Sequence, residues 1–136
     1  MELNNYGFIE VGECKTKNSL KSKVAFEIHN LKEKRVVYAF VVDDKAKYIG
    51  ICAKPKITLK DRMGRYQSMT GDSTNERIAG EIKKCLKRGK AVKIFALKPE
   101  SSLLRKGFYK GLKVDLVKGL ENPLFESLDL KWNIQK

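Results

Sequence analysis

Two tyrosines ten residues apart, Tyr38 and Tyr48, stand in the string Val36-Val37-Tyr38-Ala39-Phe40-Val41-Val42-Asp43-Asp44-Lys45-Ala46-Lys47-Tyr48-Ile49-Gly50. β-branched and aromatic runs on either side of an acidic turn predict the two strands of a hairpin. Side chains alternate across a strand, and directly opposed residues share a face. A three-residue loop, Asp43 to Lys45, therefore puts both phenols on one side with Phe40 opposite Tyr48, whereas a loop of two or four residues would part them. Tyrosine is also a good residue for any half-buried sheet, so the hairpin alone does not separate a functional pair from a structural one.

The segments around the hairpin alternate between strand and helix patterns. Lys54 to Ile57, with Pro55, reads as a loop, and Thr58 then caps a helix through Tyr66 with Asp61 as a short capping-box acid. Arg62 and Tyr66, four apart, stack on one face of that helix. Ser73 and Glu76 form a second capping box, and Ile78, Ile82, Cys85 and Leu86 recur at helical spacing until Gly89 ends the run, with Arg77, Lys83, Lys84, Lys87 and Arg88 on the other faces. Ala91 to Leu97 reads as a strand closed by Pro99, and Ser101 to Gly111 is ambiguous. Val117, Leu120, Leu124, Phe125 and Leu128 follow helical spacing again, and Pro123 either kinks that helix or lets it start afresh with Asn122 as cap. Upstream, Phe8 to Val11 and Val24 to Ile28 predict an N-terminal hairpin or edge addition. The class is α+β: a small sheet packed by helices.

At 136 residues the chain suits one domain with a single core. No apolar run approaches a membrane span, and the N-terminus lacks the apolar stretch of a signal peptide. Cys14, Cys52 and Cys85 are widely spaced and form no CxxC pair, which suits an intracellular protein with reduced thiols and argues against a zinc site. Cys85, on the apolar face of its helix, reads as a small core hydrophobe. The net charge of +13 is unevenly spread: Lys83 to Lys113 contains eleven basic residues and one acid, Glu100, and Lys15 to Lys23 adds four more with none. A polyanion partner follows, because phosphates neutralised by Lys and Arg release counterions. A basic membrane-surface helix is disfavoured, since Trp and Phe do not line one helical stripe.

The ordered set of a tyrosine hairpin, an arginine helix, Gly119-Leu120-Glu121-Asn122-Pro123-Leu124-Phe125 and a terminal Lys131-Trp132-Asn133 resembles the GIY-YIG nuclease superfamily. The resemblance runs from about Val36 to Gln135 and includes Asp72-Ser73-Thr74, the Leu86 to Gly89 helix end and Trp132-Asn133-Ile134-Gln135. It implies a three-stranded antiparallel central sheet flanked by helices, with residues 1–33 as an N-terminal strand extension and 34–136 as the catalytic core. It also implies a Mg²⁺-dependent DNA endonuclease, with Mn²⁺ as a substitute, acting on double-stranded DNA by direct hydrolysis and leaving 5′-phosphate and 3′-hydroxyl ends. The setting would be phage or host-defence DNA degradation in the cytoplasm. One active site per chain and two strands per duplex suggest a homodimer or dimer of dimers.

Hydrolysing a phosphodiester needs a nucleophilic water, charge on the phosphoryl oxygens and help for the leaving oxygen. By the resemblance, Tyr38, Tyr48, Arg62, Tyr66, Glu121 and Asn133 are the catalytic positions, with Glu121 the metal ligand. One carboxylate suffices for Mg²⁺, which keeps several waters. Arg62 presents a rigid fork to a phosphate, or as a structural residue pairs with Asp61 or Asp115. Tyr38 becomes base or water-positioning group, with Tyr48 orienting it or the phosphate; as a base, its phenol must fall from the ordinary value of about 10. Asn133 holds the site geometry beside a core anchor, Trp132. Gly50, Lys54, Lys56, Lys60, Arg65, Ser73, Asn75, Arg77, Lys83, Lys84 and Lys87 are the expected nucleic-acid contacts. Two departures stand out: the first motif, Val36-Val37-Tyr38, lacks its glycine, and Tyr66 stands where many members carry His. His29, in a predicted strand, reads as structural. The rival readings are a basic DNA- or RNA-binding module that kept the fold without catalysis, and an RNA-binding protein, although the aromatic strand pattern of an RRM is absent.

Overall fold

The computed structural model describes residues 2–16, 24–29, 36–52, 56–68, 73–97, 108–110, 112–113 and 115–133. In chain order the elements are α1 (Glu2–Asn5), β1 (Ile9–Thr16), β2 (Val24–Ile28), β3 (Val37–Val42), β4 (Lys45–Ile51), α2 (Leu59–Ser68), α3 (Ser73–Lys87), β5 (Val92–Leu97), β6 (Phe108–Tyr109), β7 (Leu112–Lys113), α4 (Leu116–Gly119) and α5 (Glu121–Ser127). Five strands form one sheet in the order β2-β1-β5-β3-β4, and β6 and β7 form a separate hairpin. Every pairing in the sheet is antiparallel. The expected three-stranded block is β5-β3-β4, with β4 at the edge of the sheet, and the N-terminal hairpin extends the sheet on the other side by pairing β1 with β5. β1 runs further than Phe8 to Val11, and α1 is an element that sequence pattern did not disclose.

Helices cover both faces. On one side, Tyr38, Phe40 and Tyr48 pack with Leu59, Met63 and Tyr66 of α2, Ile78 and Ile82 of α3, and Trp132. On the other, Val37, Ala39, Val41 and Ile49 pack with Leu3, Phe8, Val117, Leu124 and Leu128. Strand β3 is buried along its whole length, as its unbroken apolar run requires when both faces are covered. Among the described residues, no helix is long and apolar enough to cross a membrane.

The hairpin differs from the expected three-residue loop. Val42 pairs with Lys45, leaving a two-residue turn at Asp43 and Asp44, whose φ values are +53° and +61°. Left-handed conformation at both central residues is the type I′ arrangement, whose twist matches that of the flanking strands. Such a turn alone would part the phenols. A bulge in β4 restores the register: Val41 pairs with Ala46 but Phe40 pairs with Tyr48, so Lys47 is the additional residue. Tyr38 then lies opposite Gly50, on the same face as Tyr48.

Helix ends follow local chemistry. The Thr58 hydroxyl accepts from the Asp61 amide and the Asp61 carboxylate accepts from the Thr58 amide, each at 3.1 Å, the reciprocal box read from sequence. α3 begins at Ser73, so its cap position falls at 72, outside the described residues. It ends at Gly89 (φ +76°), where the Lys90 amide donates to the Cys85 carbonyl and the Gly89 amide to Leu86, a Schellman motif. Asp115 caps α4 by accepting from the Val117 and Lys118 amides. The following helix starts afresh at Glu121 with Leu120, not Asn122, at the boundary. Pro123 thus sits in a first turn, where a missing N–H costs no helical bond. Most of the ambiguous 101–111 stretch lies outside the described residues; its Phe108 and Tyr109 form a strand.

Candidate active site

Strand β3, with Gly50 across from it, brings Tyr38 to α2. Tyr38 is fully buried, and its hydroxyl lies 2.6 Å from that of Tyr66, also fully buried. A Cβ at position 50 would run into Cζ and Oη of Tyr38, so Gly50 is the seat for that ring. Phe40 stacks on Tyr48 with ring centroids 5.9 Å apart, and Tyr38 lies 6.4 Å from Tyr48. Arg62, one turn before Tyr66 on α2, lays its guanidinium over the Tyr66 ring at 4.6 Å from the centroid, a cation–π contact. Its Nη1 donates to Oδ1 of Asn75 on α3, at 3.1 Å. Arg62 is half-buried, and these partners replace the acidic ones considered from sequence. Tyr38, Tyr48, Arg62, Tyr66 and Asn75 are therefore one connected cluster, with Tyr48 the phenol nearest the surface at 8% exposure.

Burial pushes the Tyr38 phenol above its ordinary range; Arg62 pulls it down and Tyr48 pushes it up. Burial likewise raises Tyr66, reinforced by Tyr38 and Tyr48. The lowered phenol that a tyrosine base requires is thus not what this arrangement gives Tyr38.

The C-terminal segment closes the free edge of β4. The Trp132 amide donates to the Lys47 carbonyl at 2.8 Å, the Asn133 carboxamide oxygen accepts from the Ile49 amide at 2.9 Å, and its nitrogen donates to the Ile49 carbonyl at 3.1 Å. Asn133 imitates a neighbouring strand at that residue and so holds β4 in place between Tyr48 and Gly50. Trp132 is 7% exposed and packs 6.5 Å from Phe40. Arg77 donates to the Trp132 carbonyl at 2.7 Å and ties α3 to the same segment.

Glu121 begins α5, which packs through Leu124 and Leu128 on the opposite face of the sheet. Among the described residues no hydrogen bond or ion pair joins it to the tyrosine cluster. Burial raises its carboxyl above the ordinary value.

The expected nucleic-acid contacts divide. Lys56, Lys60, Arg65, Lys84 and Lys87 are exposed and Lys83 partly so; Lys84 pairs with Glu81 at 3.6 Å. Ser73 opens α3, and Lys54 lies outside the described residues. Gly50 and Asn75 are buried, and half-buried Arg77 donates to the Trp132 carbonyl. The partnership of Asn75 with Arg62 had one sequence signal: Asn75, Ile78, Ala79 and Ile82 form an i, i+3, i+4, i+7 stripe, and Asn75 is the polar residue on it. His29 is exposed and lies just past β2, its ring nitrogen 3.7 Å from Glu27. A depression of about 570 Å³ beside Asp44, Lys45, Ser127 and Lys131 contains none of the cluster; connected polar chemistry marks the candidate site.

An antiparallel sheet with the tyrosine hairpin at one edge, an arginine helix on one face and the α4–α5 pair on the other is the kind of fold that the GIY-YIG resemblance implies. Among solved structures the chain is similar to a mutant of EndoII of bacteriophage T4, at 23% identity and a TM-score of 0.67 over 98% of this chain and 96% of that one. It is also similar to the restriction endonuclease Hpy188I in complex with product DNA, at 23% identity and a TM-score of 0.55 over 93% of this chain and 75% of the other. No family model matches the chain, and no curated protein matches it by sequence.

Proposed function

We propose that this chain is a DNA endonuclease that hydrolyses phosphodiester bonds with a divalent metal, Mg²⁺ or Mn²⁺. The observation that carries the reading is the connected Tyr38–Tyr66–Arg62–Asn75 cluster on a fold shared with two DNA endonucleases. A cation gripped by a neutral amide and an aromatic face keeps its charge available for an anion. Arg62 binds the scissile phosphate, and Asn75 and Tyr66 fix its fork. Tyr48 reaches the same phosphate or the attacking water, while Tyr38, held by Tyr66, positions the site without acting as base. Water oxygen bonds to phosphorus, the bond to the 3′ oxygen breaks, the water gives up a proton and the 3′ oxygen gains one, leaving 5′-phosphate and 3′-hydroxyl ends. Glu121, a partly desolvated carboxylate without an ion-pair partner among the described residues, suits a hard cation that retains several waters. Mg²⁺ held there would supply positive charge to DNA phosphates; α5 packs on the face of the sheet opposite Arg62, so the assignment of Glu121 rests on the family resemblance.

Supercoiled plasmid with and without Mg²⁺ tests the activity, and absence of cleavage with either Mg²⁺ or Mn²⁺ sinks it. Glu121→Gln should abolish cleavage and leave DNA binding largely intact. Undiminished metal-dependent cleavage by that variant would remove Glu121 from the site.

A further inference from the structure

Helix α3 links the candidate site to a second basic region. Its first turns carry Asn75 against Arg62; its last turns reach a groove of about 290 Å³ lined by Lys47, Lys84, Arg88 and Lys90 together with Asp43 and Glu81. The carboxylates are already engaged, Asp43 with Lys90 at 2.8 Å and Glu81 with Lys84 at 3.6 Å. Lys47 and Arg88 form no ion pair among the described residues. Basic residues in a last helical turn are ordinary, because they complement the helix dipole. Lys47 and Lys90 are different: one is the bulged residue of β4 and the other follows the Schellman turn, so three segments deliver cations to one place. Burial raises the half-buried Cys85 thiol, which lines the same groove; Lys90, Arg88 and Lys47 pull it down and Glu81 pushes it up.

We infer that this groove is a second phosphate-binding site for the backbone of duplex DNA, set apart from the Arg62 cluster by the length of α3. The inference rests on the endonuclease reading and adds the path of the substrate. From Asn75 to Arg88 the helix rises about 20 Å at 1.5 Å per residue. A span of that length separates phosphates of one duplex by several nucleotide steps, so the groove receives backbone phosphates distinct from the one at Arg62. The bulge at Lys47 then has two consequences: it aligns the tyrosines and turns a lysine toward the groove.

Duplex binding without divalent metal, followed by fluorescence anisotropy over a range of salt, tests the groove apart from catalysis. Lys47→Ala/Arg88→Ala should lower the magnitude of the log–log salt slope by about two, from 0.9 per lost phosphate contact, and Arg88→Ala alone, at an exposed position, by about one. Lys45→Ala/Lys118→Ala, with the same loss of charge elsewhere, should leave the slope at the wild-type value. An unaltered slope in both groove variants, or an equal fall in the control, overturns the inference. Wild-type protein that cleaves DNA while the groove variants keep the full slope defeats the groove alone; wild-type protein that binds no duplex defeats the endonuclease reading with it.

Discussion

At the residue scale the decisive contact is the one between two hydroxyls in the core. A Tyr pair at 2.6 Å, buried and T-shaped, satisfies two polar groups that would otherwise each cost about 1–3 kcal/mol. Tyr38→Phe therefore has two effects, loss of whatever the hydroxyl does for catalysis and an orphaned Tyr66 hydroxyl. The double variant Tyr38→Phe/Tyr66→Phe removes both polar groups and keeps the rings. We expect Tyr38→Phe to lose about 1–3 kcal/mol in urea unfolding and the double variant to recover most of it, while cleavage stays impaired in both. Recovery of cleavage together with stability would make the pair structural only. Arg62 has no such substitute, since its fork contacts an amide and a ring on two helices; Arg62→Ala should slow cleavage at least a hundredfold, about the cost of one preorganised donor. Retained fold with an undiminished rate would exclude Arg62 from the chemistry.

At the scale of elements, the β3–β4 hairpin combines a strained turn with a corrective bulge. Asp43 and Asp44 both occupy the left-handed region, which disfavours residues carrying a Cβ by roughly 1–2 kcal/mol each. Asp43 is held there by Lys90; Asp44 makes no comparable contact among the described residues. Asp44→Gly should thus stabilise the protein by up to about 1 kcal/mol, visible as a rise of a few degrees in Tm. A lower Tm would mean that the Asp44 side chain holds the turn in a way the φ angles do not reveal. The helix ends were readable in advance because caps are local: Thr58 with Asp61, and Gly89 closing α3, depend on residues within a turn of one another. The bulge at Lys47 was not, because the residue count of the hairpin fits either a three-residue loop or a two-residue loop with one extra residue in a strand.

For the whole molecule, the buried acidic groups set an alkaline limit. Burial raises the Cys52 thiol to about 11, against the downward pull of Arg62 and Arg65, and raises Cys14, Tyr38 and Tyr66 further. With folded values above the unfolded ones of about 8.5 for thiols and 10 for phenols, the unfolded chain loses these protons first. Their contribution to stability is complete below about pH 8.5 and declines as pH rises through the window up to the folded values, at about 1.4 kcal/mol per pH unit for each titrating group. The urea midpoint should therefore hold to about pH 8.5 and then fall, and Cys14→Ala/Cys52→Ala should make the fall between about pH 8.5 and 10 shallower, with Cys85 left to contribute. A midpoint independent of pH up to about 10.5 would show these groups accessible to solvent in the native state. We also expect a homodimer or dimer of dimers, with nicked plasmid preceding linear product. A strict monomer in light scattering, free and DNA-bound, that linearises plasmid with no nicked intermediate contradicts this.

Short-range grammar in the chain was enough for most of the elements and for parts of the cluster: alternation placed Tyr38 and Phe40 on one face, helical spacing placed Arg62 with Tyr66, and capping residues marked α2 and α3, whereas Tyr48 joins that face through the bulge at Lys47. These depend on neighbours a few positions apart, so the order of residues determines them. The tertiary structure decided what those residues face. It set Asn75 against Arg62 and Arg77 against the Trp132 carbonyl, 13 and 55 positions apart, and enclosed Tyr38 so completely that its phenol rises instead of falling. It also carried Glu121 into the layer opposite the tyrosines. Burial and the electrostatics that follow from it are properties of the packed layers, summed over contacts between distant segments, and no local spacing encodes them.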